Sequence, residues 1–242
     1  MSEAPALQNL DAVILAGGFG TRLRSVVSDR PKALAEVGGR PFLELLLDQI
    51  TAIGVRRTIL CTGYLGDQIE AHLGPSRKGM ALVYSREHEP LGTGGALRLA
   101  LPKIESPAML VLNGDSYCDW DLEDLYRAHR RSKADATMLL VQVSDARRFG
   151  RVVIDDSERI VAFAEKSEDP SPALINAGIY VLERRIVEGM EPEVPLSLER
   201  DVFPKLIGHG LYGHRTTARL WDIGIPEAYA QAGTELPERL SR

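Results

Sequence analysis

The chain has 242 residues, 44% of them hydrophobic, with 29 basic and 34 acidic side chains and a net charge of −5. That length supports a substantial α/β core, and the mild negative charge excludes a general attraction to nucleic acid. Two widely separated cysteines, Cys61 and Cys118, fit neither a disulfide framework nor a metal knuckle, and no apolar run reaches membrane length.

The N-terminal stretch is neither cationic nor continuously apolar, so it does not read as a signal peptide, and a cytoplasmic location away from membranes is expected. Residues 1–9 and the polar tail from about Thr234 read as flexible ends. Ala12–Leu15 is a short apolar run of the kind buried in parallel sheets. A glycine-rich turn follows it directly, Leu15-Ala16-Gly17-Gly18-Phe19-Gly20-Thr21-Arg22-Leu23-Arg24. Glycines there let backbone N–H groups approach an anion with no Cβ in the way, so the turn suits a phosphate. Arg22, Arg24 and the lysine of Pro31-Lys32 add cationic donors. The dinucleotide fingerprint would need glycine at Leu23, and the nucleotide P-loop would need Gly-Lys-Ser/Thr where this chain has Gly20-Thr21-Arg22, so both are excluded on spacing.

Further along, Phe42, Leu45, Leu46, Gln49, Ile50 and Ile53 recur at helical spacing and stop at Gly54. Thr58–Thr62, Ala81–Tyr84, Met109–Leu112 and Thr137–Val143 read as strands, and Asp121 reads as the cap of a helix to Arg131. This alternation predicts an α/β fold, a doubly wound and mostly parallel Rossmann-like sheet with ligands at the carboxyl ends of its strands. The glycine turn and Asp115 both lie at such ends. After about residue 145 come short strands, Arg151–Ile154, Ile160–Ala164 and Ile175–Leu182, with little helix until Leu198, which makes the sheet mixed within one domain over 1–242. Glu191-Pro192-Glu193-Val194-Pro195 reads as a stiff surface loop.

The glycine turn with Pro31-Lys32 resembles the signature of the sugar-1-phosphate nucleotidyltransferases, which make nucleoside-diphosphate sugars. Glu89-Pro90-Leu91-Gly92-Thr93-Gly94-Gly95-Ala96-Leu97, Leu112-Asn113-Gly114-Asp115, Phe149-Gly150, Glu165-Lys166, Asn176-Ala177-Gly178-Ile179-Tyr180 and Trp221-Asp222-Ile223-Gly224-Ile225-Pro226-Glu227 resemble the family's later motifs in the same order. The resemblance covers roughly residues 11–231 and implies the nucleotide-diphospho-sugar transferase type of fold, with about 11–145 binding nucleotide and about 146–231 binding sugar phosphate. The chain ends soon after Ile225-Pro226, so the extra β-helical domain of some relatives is not expected.

The reaction this implies is attack of a sugar 1-phosphate on the α-phosphorus of a nucleoside triphosphate. Its nucleophile is already an anion, so catalysis reduces to positioning, charge neutralisation and metal assistance. No nucleophile–histidine pair is needed, and His72, His88, His129, His209 and His214 read as ordinary polar residues. By the resemblance, Arg22 and Lys32 grip the triphosphate and Lys166 faces the sugar phosphate. Leu15, Ala16, Gly17, Gly18, Gly20 and Thr21 then hold the nucleotide with Glu87, Gly92, Thr93 and Asn113. Gly150, Glu165 and Asn176 hold the sugar, and Asp115 and Asp222 hold Mg²⁺. An Asp at a strand end serves equally as a helix cap or turn former when no family pattern surrounds it.

Guanine presents two adjacent N–H donors that one carboxylate can accept, whereas uracil and thymine better suit an amide. Glu87 and Glu89, with no Gln nearby, therefore favour GTP. Ser25-Val26-Val27-Ser28-Asp29 and Asp222-Ile223-Gly224-Ile225-Pro226-Glu227-Ala228-Tyr229 look most like the branch acting on D-glycero-D-manno-heptose 1-phosphate, implying GDP-heptose for bacterial capsule or surface-layer glycans. Ala33 and Ala177 depart from the commonest forms of their motifs. Three other readings stay open: mannose 1-phosphate with GTP or another hexose phosphate with UTP or CTP; a catalytically silent nucleotide-sugar-binding regulatory subunit; and an unrelated Rossmann-type domain, which the loop spacing disfavours. A homodimer is left open too, because apolar residues of the second half serve equally as core or interface.

Overall fold

The computed structural model describes residues 6–147, 150–164 and 170–240. A 3-10 turn, Ala6–Asn9, leads into β1 (Asp11–Leu15). Successive β1 side chains point to opposite faces of the sheet, and Val13 and Ile14 enter two different apolar clusters. Burial on both faces is why this strand is continuously apolar rather than alternating.

Past the glycine turn, β2 (Glu36–Val37) and β3 (Arg40–Pro41) form a small hairpin across Gly38 and Gly39, both at positive φ. Helix α1 (Phe42–Ala52) buries Phe42, Leu43, Leu46, Leu47 and Ile50 and stops just before Gly54, whose φ of +85° suits a helix end. Then follow β4 (Arg57–Thr62), α2 (Gly66–Leu73), β5 (Ser76–Arg77), β6 (Met80–Arg86), α3 (Gly92–Ala100) and β7 (Ala108–Asn113). β1 lies between β4 and β7, parallel to both, and β6 lies parallel beyond β4, as the alternation predicts.

β8 (Ser116–Cys118) leaves the main sheet before α4 (Leu122–Ser132), which Asp121 caps by accepting from the Glu123 N–H at 2.9 Å. The rest of the chain contributes β9 (Ala136–Val143), β10 (Arg151–Ile154), β11 (Ile160–Ala164), β12 (Ala173–Glu183), α5 (Arg184–Glu188), a π-helical turn at Leu198–Val202, α6 (Phe203–Leu206), β13 (Leu211–Thr216), β14 (Leu220–Asp222) and α7 (Pro226–Leu240). Among the described residues the sheet runs β11-β10-β12-β7-β1-β4-β6-β5, with β9 on β12 and β13 on β9. β12 is antiparallel to both β7 and β9, which makes the sheet mixed.

Two irregularities position the site. The β12–β9 register shifts between Asn176 and Tyr180, inside the Asn-Ala-Gly-Ile-Tyr motif, where Gly178 has a φ of +73°. β14 pairs antiparallel with β8, setting Asp222 opposite Ser116 and linking residues about a hundred positions apart.

Of the two ends read as flexible, residues 1–5 and 241–242 lie outside the described residues, and the described parts are packed. Leu7 is buried in the 3-10 turn, and the stretch from Thr234 continues α7, with Leu236 buried and Pro237 packed against Gly38. The polar composition of the tail conceals one apolar stripe that docks on the β2–β3 hairpin. Cys61 and Cys118 are free and buried, and burial pushes both thiols up to about 12. Among the described residues no helix is long and apolar enough to cross a membrane.

Candidate active site

The parallel register aligns the ends of four strands. Leu15 pairs with both Cys61 and Asn113, and Thr62 with Arg86, so the turns after β1, β4, β6 and β7 share one rim of the sheet. There the Ala16 N–H donates to the Cys61 carbonyl, the Gly114 N–H to the Leu15 carbonyl and the Glu87 N–H to the Thr62 carbonyl, each at 2.8–2.9 Å. A cavity of about 280 Å³ opens on this rim. Leu15, Ala16, Gly17, Gly18 and Gly20 form one part of its wall, and Glu87, Gly92, Thr93 and Asn113 another. Lys32 and Asp115 complete it.

Glycine is required here by close approach. A Cβ on Gly17 would stand 2.5 Å from Glu87 Oε1, and one on Gly114 would stand 2.9 Å from the Leu15 carbonyl oxygen. Gly92 has a φ of +71°, and a Cβ there would meet the Leu196 carbonyl oxygen at 2.5 Å.

Glu87 is half-buried, and its Oε2 accepts from the Leu91 N–H at 3.1 Å. Burial pushes its carboxyl above the usual range and outweighs that hydrogen bond. Glu89 is exposed and outside this cavity, and it shares with Glu87 only a neighbouring cleft beside Tyr64. Asn113 lies against Gly178, and its Oδ1 is shielded from solvent without a hydrogen-bond partner among the described residues.

Asp115 and Asp222 converge. The Ile223 N–H donates to the Asp115 carbonyl at 3.0 Å, and the Asp222 carboxylate accepts from the Gly224 N–H at 2.6 Å. Burial first, then the Asp115 carboxylate, raises the Asp222 pKa, against the opposing pull of the Gly224 N–H, Lys32 and Arg22. Lys32 Nζ forms an ion pair with Asp115 Oδ2. Asp222 also borders a second cavity of about 450 Å³, together with Ile175 and Leu220. The carboxylate pair thus stands between two cavities.

The other expected residues divide. Arg22 and Thr21 are exposed and do not line the first cavity, although Arg22 is near enough to act on Asp222. Arg24, which reads equally as a donor of the turn or as a surface side chain, is exposed and lies over the Tyr64 ring at 4.8 Å, a cation–π contact. Gly150 is exposed just before β10. Glu165 and Lys166 lie outside the described residues. Asn176 is bound locally, its Oδ1 accepting from the Gly178 N–H and its Nδ2 donating to the Tyr180 hydroxyl, both at 2.8 Å. Sequence reasoning missed Glu199, which accepts from the hydroxyls of Thr93 and Tyr180 at 3.0 Å and of Ser197 at 2.8 Å. Nothing in Leu198-Glu199-Arg200 marks it in the sequence, because its partners lie on α3 and β12.

Among the described residues no cluster of three metal-binding side chains occurs. Two converging carboxylates nonetheless suit a hard divalent cation that takes its remaining ligands from phosphate oxygens and water.

The family model described as nucleotidyl transferase matches residues 11–239. The mannose-1-phosphate guanylyltransferase of Mycobacterium tuberculosis is 40% identical over 235 residues, which cover 96% of this chain and 66% of the relative. The D-glycero-alpha-D-manno-heptose 1-phosphate guanylyltransferase of Aneurinibacillus thermoaerophilus is 38% identical over 228 residues, covering 94% of this chain and 98% of the relative. Among solved structures, HddC from Yersinia pseudotuberculosis superposes with a TM-score of 0.83 at 36% identity, covering 94% of this chain and 99% of HddC, and HddC has also been solved complexed with GMP-PN. The match spans the glycine turn, the aligned strand ends and the β14 carboxylate alike, and the chain belongs to the nucleotidyl transferase family.

Proposed function

We propose that this chain is a sugar-1-phosphate guanylyltransferase, converting GTP and D-glycero-α-D-manno-heptose 1-phosphate into GDP-heptose and pyrophosphate. The observation that carries the reading is the convergence of Lys32, Asp115 and Asp222 beside a glycine-walled cavity that also holds Glu87. In the proposed reaction an oxygen of the sugar phosphate bonds to the α-phosphorus, the bond to the bridging α–β oxygen breaks, and pyrophosphate leaves with the electron pair. No proton needs to be removed from the nucleophile.

The glycine turn packs against the triphosphate, and Lys32 with Arg22 offsets its charge. Glu87, when ionised, accepts the N1–H and N2–H of guanine together. Asn113, in the cavity wall, is assigned to the nucleotide. Asp115 and Asp222 would hold Mg²⁺, which supplies charge neutralisation at the phosphate oxygens. Gly150, Glu165, Lys166 and Asn176 are assigned to the sugar phosphate. The proposal takes 1–242 as one domain, about 11–145 for nucleotide and about 146–231 for sugar. It extends to a cytoplasmic enzyme whose product serves bacterial capsule or surface-layer glycans.

Heptose is preferred on the likeness of Ser25-Val26-Val27-Ser28-Asp29 and Asp222-Ile223-Gly224-Ile225-Pro226-Glu227-Ala228-Tyr229 to the heptose branch, beside the 38% identity of the heptose-named relative. Mannose 1-phosphate is the second reading, favoured by the 40% identity of the mannose-named relative. Mg²⁺-dependent pyrophosphate release is the test, with heptose 1-phosphate and mannose 1-phosphate each paired with GTP, ATP, UTP and CTP. Release with GTP and heptose 1-phosphate alone is expected. Preference for mannose 1-phosphate would redirect the sugar, preference for UTP or CTP would remove Glu87 as the base reader, and silence with every pair would favour the regulatory subunit.

A further inference from the structure

The Asn176 amide is held from both sides. The Gly178 N–H can only donate, which turns Oδ1 toward it, and the Tyr180 hydroxyl takes the Nδ2 side. A phenol has one proton to give. Tyr180 gives it to Glu199 Oε1 at 3.0 Å, and an ionised carboxylate has none to return, so the phenol oxygen is left to accept from Asn176. Full burial and the Glu199 carboxylate push the Tyr180 phenol far above its ordinary range, so the proton is present at any working pH.

Glu199 is itself fixed. Its Oε2 accepts from Thr93 and from Ser197, and Thr93 Oγ1 accepts in turn from the Leu198 N–H at 2.8 Å. One carboxylate therefore ties the first turn of α3, at the nucleotide cavity, to the bulge of β12. Gly178, the other anchor of the amide, packs against Asn113 in the wall of the same cavity. One Nδ2 hydrogen of Asn176 remains as a donor with a defined direction.

We propose that Glu199 is a positioning residue for the sugar 1-phosphate: acting through Tyr180, it fixes the Asn176 amide so that its remaining N–H meets an acceptor oxygen of the sugar. This rests on the guanylyltransferase reading. Asn176 would touch substrate, and Glu199 and Tyr180 would act through it.

Steady-state kinetics with each substrate varied in turn tests the chain of bonds, using the conservative variants Tyr180→Phe and Glu199→Gln and their combination. Each single variant is expected to raise KM for the sugar 1-phosphate about tenfold, the scale of one well-placed hydrogen bond. For Tyr180→Phe, KM for GTP should stay within about twofold, and the double variant should be no worse than the single ones, because the two residues act in series. An unchanged sugar KM, losses that add, or equal losses in both KM values would overturn the inference. Wild-type turnover separates the two levels: its absence with every sugar 1-phosphate would overturn the guanylyltransferase reading itself, and this inference with it.

Discussion

At the residue scale, the site sets charged groups against burial, and the balance differs between them. Asp222 is raised by burial and by Asp115, an arrangement that favours a cation between the carboxylates. Asp115→Asn and Asp222→Asn are each expected to reduce kcat at least about a hundredfold while leaving the melting temperature within a few degrees, since a carboxamide keeps the shape but not the charge. Near-wild-type kcat in either variant would remove that residue from the proposed metal site.

Glu87 gives a pH dependence with a definite sign. Its carboxyl titrates above the usual range because burial disfavours the anion, and the anion is the form proposed to accept both guanine donors. As pH falls through that raised pKa the carboxyl takes up a proton and loses acceptor capacity, so KM for GTP should rise on acidification. In Glu87→Gln, KM for GTP should be about tenfold higher at neutral pH and nearly flat with pH. A wild-type KM for GTP that is constant down to about pH 5, below which ordinary carboxylates titrate, would contradict this assignment.

At the scale of elements, the start of α3 is the most constrained join. The N–H groups of Gly94 and Gly95 both donate to the Leu196 carbonyl, at 2.8 and 3.3 Å, and the same oxygen excludes a Cβ at Gly92. Gly92→Ala therefore meets both a left-handed backbone and a backbone oxygen that cannot swing aside. A loss of about 1–3 kcal/mol of stability is expected, read as a lowered melting temperature, together with a raised KM for GTP. A variant as stable as wild type would show that the loop after β6 can shift freely.

Buried His129 is a second join, tying α4 to β9 through Thr137 at 2.9 Å and to β12 through Glu183 at 3.3 Å. Burial lowers its pKa despite Glu183, so the folded state favours the neutral ring. Stability is therefore unaffected above the unfolded pKa and falls as acidification charges the unfolded chain first, below about pH 6.5. Thermal melts across that range should show this loss reduced in His129→Gln; equal losses in the two proteins would rule His129 out as its source.

Over the whole molecule, the legible part of the fold was the part built from local pattern. Ala12–Leu15 and Met109–Leu112 announce a parallel sheet because both faces are buried, and glycines after a strand announce a close approach. Long-range joins were not legible. Pairing of β14 with β8 brings Asp222 to Asp115, yet only the family resemblance suggested their meeting. Arg24 beside Tyr64, Glu199 beside Thr93 and Tyr180, and Pro237 against Gly38 of the β2–β3 hairpin depend on tertiary contacts that periodicity does not encode. The glycine-turn side of the candidate site was thus more legible than the β12 side, where Asn176 depends on a bulge and a distant carboxylate.

The central claim is nucleotidyl transfer from GTP to a sugar 1-phosphate, and the direct measurement is ³¹P NMR of GTP, heptose 1-phosphate and Mg²⁺ incubated with the protein. Loss of GTP should be matched by equal amounts of a new diphosphate diester and of pyrophosphate. GTP left intact with every sugar 1-phosphate tried, or its conversion to GDP and inorganic phosphate, would contradict the account.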